Sequence, residues 1–173
     1  MYVINFFGGP GVGKSAFATG VLSKLKFKEV NCEYVGEFAK DLTWEDRYVA
    51  LGNQWHVTST QLHRIHRLID KVDFVITDSP IIIGCLYYKD DNPHFEVGVL
   101  HEFNKYSNIN YFINRTRPYR REGRLHSLEE AKEIDISMKN FLTLNNIKFK
   151  EIEDKEEYIS AISNECMMIR KNQ

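Results

Sequence analysis

Residues 8–15 read Gly-Gly-Pro-Gly-Val-Gly-Lys-Ser, which sets Gly8, Gly13, Lys14 and Ser15 at the spacing G-x-x-x-x-G-K-[ST]. A loop of this kind can converge the backbone N–H groups of Gly11, Val12, Gly13 and Lys14 on a phosphate, because few side chains crowd it. The helix that follows adds partial positive charge at its N-terminus. Lys14 is expected to reach the β- and γ-phosphates of ATP and the Ser15 hydroxyl to ligate Mg²⁺, with Ala16 completing the cofactor-binding set. A second acidic element lies in "VDFVITDSP" (72–80), an apolar strand ending in Asp78. A carboxylate there would meet the same Mg²⁺, directly or through water. Capping the helix after Pro80 is the plainer role, and Asp78 can do both.

Residues 115–124, "RTRPYRREGR", hold five arginines in a chain whose formal net charge is −1. Gripping a highly charged anion, touching nucleic acid and forming a solvated loop are the three readings. The first suits guanidinium groups closing over a triphosphate where water is excluded. Arg120, Arg121 and Arg124 are the candidates, with Gly123 as a hinge, while Arg115 and Arg117 stay near the preceding strand. Five guanidiniums held close repel one another, so the stretch is expected to settle only on an anion.

Transfer to an acceptor hydroxyl also needs a proton acceptor. Glu37, at the end of "EYVGEF" (33–38), stands where ligands of open α/β sheets bind. Glu33 is the fallback, and Glu37 starting the next helix is the plainer alternative. Gln54 and Gln61 are seven apart on one helical face, with Arg64 three further on. With Phe38 they form a candidate acceptor wall. A solvated face is the alternative for the polar three; Phe38, Trp44, Trp55 and Tyr88 are candidates to stack on a ring, with core or rim as their plainer role. His56, His63 and His66 lack an acidic or cysteine partner at ligand spacing, which argues against a metal cluster.

These residues need a frame. "YVINFF" (2–7) reads as a central buried strand, followed by a helix from Lys14 to about Lys26. "KEVNCEYVG" (28–36), "VDFVIT" (72–77), "INYFIN" (109–114) and "IKFKEI" (147–152) read as further strands. Thr43 with Asp46 suggests an N-cap before "WEDRYVAL". Residues 54–71 form a longer helix with Trp55, Leu62, Ile65 and Ile69 on its apolar side. "IIIGCLYY" (81–88) reads as a helix and "KDDNPH" as a polar loop. Ser127 with Glu130 makes a capping box for a helix to about Leu144, and Tyr158, Ile162, Cys166 and Ile169 mark a closing helix. The alternation predicts an α/β domain with a mostly parallel sheet.

At 173 residues one domain, 1–173, is expected. The balance of 23 basic and 24 acidic residues argues against a protein that coats nucleic acid along a whole face, though not against a local basic site. Three cysteines, Cys32, Cys85 and Cys166, without a C-x-x-C pair fit reduced thiols in a cytoplasmic protein. No apolar run suggests a membrane span, and the N-terminus has no signal-peptide pattern.

Ser79 after Asp78 departs from motor ATPases, which place a water-polarising glutamate there. No [NT]-K-x-D element marks a guanine switch, and the chain is short for an AAA+ module with its extra helical domain. "GGPGVGKS", "EYVGEFAKDL", the glutamine-bearing helix, "VITDSP" and "RPYRREGRLHSLEEAKEID" together resemble P-loop nucleoside and nucleotide kinases. Within them the chain looks most like nicotinamide-ribose kinase domains and related small phage ATPases and kinases. The resemblance implies a P-loop NTPase three-layer fold with strand order 2-3-1-4-5, an Arg-rich lid at about 115–126 and ATP-Mg²⁺. It also implies a nucleoside- or nucleotide-like acceptor between strand two and the lid, in a monomer or homodimer. "DSP" departs from the usual sequence of well-known nucleoside kinases at that strand end. A hydroxymethylated base within DNA is therefore an alternative acceptor, and a plain ATPase or NTP-binding regulatory module a further alternative.

Overall fold

The computed structural model describes residues 1–116, 118, 119 and 126–171. In chain order these form β1 (Tyr2–Phe7), α1 (Lys14–Phe27), β2 (Cys32–Val35), α2 (Phe38–Trp44), α3 (Tyr48–Gly52), α4 (Gln54–His66) and β3 (Phe74–Thr77). A 3₁₀ turn (Ile81–Ile83) leads into α5 (Gly84–Tyr87), then α6 (His94–Phe103), β4 (Ser107–Asn114), α7 (Leu128–Leu144), β5 (Lys150–Glu153) and α8 (Glu157–Lys171). The five strands pair in parallel throughout, in the order β2-β3-β1-β4-β5. That is the expected P-loop order.

β1 is central because successive side chains face opposite layers and nearly all are apolar. Ile4 and Phe6 pack with Phe17, Val21 and Leu25 of α1 and Ile162 and Cys166 of α8. Val3 and Phe7 join Ile65 of α4, Phe95 and Val99 of α6, and Met138 and Leu142 of α7 on the other face. Asn5 is the polar exception in the strand. Its Nδ2 donates to Asn108 Oδ1 and Asn110 Oδ1 of β4, both at 2.9 Å, so the buried amide is satisfied within the sheet.

β1 and β3 lie side by side, with Asn5 opposite Thr77. The chain leaves β1 toward one edge of the sheet and β3 toward the other, which opens a crevice at their carboxyl ends. The glycine loop and Asp78 both emerge there.

Several local expectations differ from the structure. Thr43 caps nothing: it lies inside α2, and its hydroxyl donates to Ala39 O at 2.9 Å. α2 ends because the chain turns through Asp46 at φ 55, and α3 begins beyond it at Tyr48. α4 stops at His66 rather than residue 71, and its buried side is Val57, Thr58, Gln61 and Ile65, with Trp55 49% exposed. The "IIIGCLYY" helix is split between the 3₁₀ turn and α5. α6 went unread because Gly98 interrupts a short segment, although Phe95, Val99 and Phe103 keep a spacing of four. The Ser127–Glu130 capping box is present as expected.

Candidate active site

The loop between β1 and α1 is shaped by three glycines in the left-handed half of backbone space: Gly8 (φ 136), Gly11 (φ 85) and Gly13 (φ 92). A Cβ on Gly8 would stand 2.7 Å from Val12 Cγ2, and one on Gly13 would stand 3.0 Å from Asp154 Oδ1. Glycine is thus required here by both conformation and space. α7 braces the loop from outside. The Gly9 N–H donates to Asp135 Oδ1 at 2.5 Å and the Gly8 N–H to Met138 Sδ at 3.3 Å. Asp135 Oδ2 in turn accepts from Arg115 Nε and Nη2, at 3.1 and 3.0 Å.

Lys14 Nζ donates to the loop carbonyls of Gly8 (2.7 Å) and Gly9 (3.1 Å). Burial holds its pKa below the ordinary lysine value, opposed by the charges of Glu37, Asp78 and Asp135. Ser15 Oγ donates to Asp78 Oδ2 at 2.5 Å. Asp78 is only 3% exposed, and its Oδ1 has no hydrogen-bond partner among the described residues. A buried carboxylate oxygen left unpartnered is costly. A hydroxyl beside a half-satisfied carboxylate is a donor set for a hard divalent cation, so these residues fit Mg²⁺.

Two cavities flank this point. One, of about 840 Å³, is lined by Gly11, Gly13, Lys14, Ser15, Ala16 and Asp78. The other, of about 780 Å³, is bounded by α2, α3, α4 and α5. They share Glu37, Thr43, Tyr48, Ser79, Ile83, Tyr87 and His126. Glu37 occupies the N-cap position of α2 but makes no capping hydrogen bond with its side chain. Burial raises its pKa above the ordinary carboxylate value, partly offset by the Lys14 charge. Burial and then the Glu37 charge push the Tyr87 phenol up to about 12.

The structure divides the remaining sequence candidates. Gln54 and Gln61 line the second cavity. Gln61 is committed, accepting from Phe38 N and donating to Gly36 O. Phe38 and Arg64 line neither cavity. The Arg64 guanidinium is tied to Asp41 Oδ2 at 2.7 Å and lies 4.8 Å from the centre of the Phe38 ring. Of the aromatic candidates, Trp55 and Tyr88 line the second cavity, joined there by Tyr48 and Tyr87. Arg117, Arg120, Arg121, Gly123 and Arg124 lie outside the described residues. Of that stretch, Arg115 is held by Asp135, and the Tyr119 hydroxyl donates to His126 O at 2.7 Å. Sequence reasoning missed the Asp135 and Met138 brace. The only signal was their three-residue spacing on one face of α7.

Fold and glycine loop together define a P-loop α/β protein. A family model described as an AAA domain matches residues 3–158, and the chain belongs to that family. The match ends at the start of α8, so it spans the α/β core rather than an added helical domain. Among curated proteins none matches in sequence. Of solved structures, a deoxyadenosine kinase from M. mycoides with bound dATP is similar at TM-score 0.55 and 14% identity, covering 99% of this chain and 100% of that one. A shikimate kinase from Bacteroides thetaiotaomicron is similar at TM-score 0.52 and 12% identity, covering 98% of each. Among the described residues no helix is long and apolar enough to cross a membrane.

Proposed function

We propose that the protein is an ATP-dependent small-molecule kinase that transfers the γ-phosphate to a hydroxyl of a nucleoside- or nucleotide-like acceptor. The observation that carries this is the pair of cavities meeting at Glu37. One is lined by the glycine loop and the other by aromatic side chains. A hydrolase needs room for water only, whereas two adjoining cavities of similar size suit a donor and an acceptor. That similar folds include a deoxyadenosine kinase and a shikimate kinase supports the same class.

In this reading the glycine-loop amides and Lys14 hold the triphosphate. Mg²⁺ held by Ser15 and Asp78 would neutralise charge on the phosphate oxygens. Glu37 stands at the seam, where an acceptor hydroxyl would face the γ-phosphorus. As the acceptor oxygen bonds to phosphorus and the bond to the ADP oxygen breaks, the hydroxyl proton passes to Glu37. Its raised pKa brings it closer to working pH, where a general base is most effective. The segment at about 115–126 is proposed as a lid whose arginines meet the developing charge. His126, which closes it, lines both cavities.

The test is incubation with ATP and Mg²⁺ beside a panel of nucleosides, nucleotides, nicotinamide riboside and hydroxymethylated DNA, with products weighed by mass spectrometry. One small-molecule acceptor should gain a phosphate, and Lys14→Ala should abolish that transfer while keeping the circular-dichroism spectrum. Phosphorylated DNA would move the acceptor into the duplex, and phosphate release that no acceptor enhances would replace the kinase with an ATPase. Tight ATP binding without turnover would identify a regulatory module.

A further inference from the structure

We infer that Gln61 is a positioning residue for Glu37: its amide grips the peptide group on either side of Glu37 and so fixes the direction in which that side chain leaves the backbone. That the grip serves phosphate transfer rests on the kinase reading; the grip itself does not.

A side chain points where the two peptide planes flanking its Cα send it, because each plane is rigid. Around Glu37 both planes are held, and by one side chain. Gln61 Nε2 donates to Gly36 O at 3.2 Å, and Gln61 Oε1 accepts from Phe38 N at 3.0 Å. The Gly36 carbonyl belongs to the peptide before Glu37, and the Phe38 N–H to the peptide after it. Glu37 is thereby kept extended, at φ −71 and ψ 114, at the N-cap of α2. Glutamine suits the task, since its amide ends in a donor and an acceptor side by side.

The grip also replaces a more ordinary use of Glu37. A residue at a helix N-cap commonly turns its side chain back on the free N–H groups of the first turn. Glu37 makes no such bond with its side chain. One of those groups, the Phe38 N–H, is satisfied instead by Gln61, 23 residues away in sequence. The Glu37 carboxylate is left to line both cavities.

Neighbours hold the grip in turn. Gln61 is 3% exposed, so losing either bond would strand a buried polar group. Arg64, three residues on, places Nη1 3.4 Å from Gly36 O, while its Nη2 is tied to Asp41 of α2 at 2.7 Å. The Phe38 ring meets the Arg64 guanidinium at 4.8 Å and His56 edge-on at 5.4 Å. α4 thus touches the 36–41 turn through His56, Gln61 and Arg64, with Gln61 at the Glu37 position. Gln61 also lines the second cavity, which makes contact with an acceptor its rival role. Both ends of its amide are already bonded to backbone, which favours positioning.

The test has a structural arm and a kinetic arm, both on the full chain. Crystal structures of the parent and of Gln61→Met, which keeps the bulk and loses both bonds, show directly where Glu37 points. The Glu37 carboxylate should move by ~1 Å or more, a displacement large enough to matter for catalysis. Gln61→Asn has an amide one methylene too short to reach both peptides. It should move Glu37 in the same way and decides the matter where the methionine variant fails to fold. A lower Tm with Glu37 unmoved would make Gln61 a support for the fold alone and overturn the inference. The kinetic arm uses ATP, Mg²⁺ and the acceptor panel of the kinase test. Gln61→Met should lower kcat ~10-fold or more with acceptor KM nearly unchanged. It should cost nothing further in a chain that already carries Glu37→Gln. A raised acceptor KM at unchanged kcat, or losses that simply add, would overturn the inference in favour of the rival role. If no acceptor gains a phosphate, the kinase reading falls, and the crystal structures still decide whether Gln61 positions Glu37.

Discussion

The glycine-loop cavity is made of backbone and braced from three elements besides its own, whereas the cavity beside it is made of side chains hung on short helices. Around the loop, Asp78 from β3, Asp135 and Met138 from α7 and Asp154 beyond β5 all press on residues 8–15. Around the second cavity, α3 has five residues and α5 four, and neither has a side-chain cap. Positions that must present amides to a phosphate tolerate few residue types. Positions that only need to form a wall tolerate many, so on the proposed kinase reading the second cavity is where one fold can change its acceptor. Glu37 is the residue on which the two designs meet.

Removing the carboxylate at that meeting point is the largest expected perturbation short of emptying the loop itself. Glu37→Gln should lower turnover by ~10²-fold or more while leaving ATP affinity nearly unchanged, measured by steady-state kinetics and nucleotide binding. The pH dependence separates the two roles. Because burial raises the folded-state pKa of Glu37, its contribution to stability is present below the ordinary carboxylate value and lost as pH rises through the raised one. Catalysis runs the other way, since only the ionised form accepts a proton. In the parent, kcat/KM should rise across the pH interval in which stability falls. The glutamine variant should show neither limb. A parent-like pH–rate profile in that variant would take the base role from Glu37.

The next effect belongs to the arginines that would close over both cavities. Arg120→Ala, Arg121→Ala and Arg124→Ala should each reduce turnover, the strongest by ~10²-fold, with much smaller changes in ATP affinity. If the stretch instead serves DNA, the loss should appear as weaker, salt-sensitive DNA binding with ATP turnover preserved. Hydrogen exchange across 115–126 should slow when a non-hydrolysable ATP analogue binds. Equal protection with and without it would mean that the segment is no lid.

The contrast between the cavities also explains what the sequence disclosed. Gly8, Gly13, Lys14 and Ser15 were legible because left-handed backbone at fixed spacing leaves a glycine signature, and the alternation of apolar strands with helices carried the sheet order through the family resemblance. Asp78 was legible from its place at a strand end. The second cavity was legible only in part: Gln54, Gln61, Trp55 and Tyr88 line it, but Trp55 also reads as the apolar side of α4 and is 49% exposed. The period of a helix marks a face without saying whether that face meets a core or a pocket. Arg64 looked like a substrate ligand, but Asp41, 23 residues earlier, claims it. Partners brought together by tertiary packing leave no mark in local spacing.

The smallest effect tests whether the brace of the loop is itself functional. Asp135 joins the Gly9 amide to Arg115, the first residue of the arginine-rich stretch, and the pair is well covered, at 11% and 17% side-chain exposure. It should therefore count for more than a surface ion pair. Asp135→Asn keeps the shape and an acceptor for Gly9 but removes the charge from both bonds. The buried Arg115 Nη1 already lacks a partner among the described residues, so the guanidinium would lose its main compensation. A loss of about 1.5–3 kcal/mol in stability follows from bonds to a charged group. Asp135 also helps keep the Lys14 ammonium charged, whereas Arg115 opposes it. Removing the carboxylate should push the Lys14 pKa further down and weaken ATP binding by ~10-fold, more at high pH than at low, because the affected form is the charged one. Arg115→Ala should restore part of that affinity in the double variant, since it removes the opposing charge along with the unpaired guanidinium. Strictly additive losses in ATP affinity would reduce Asp135 to a support for the fold, with no separate hold on the phosphate site.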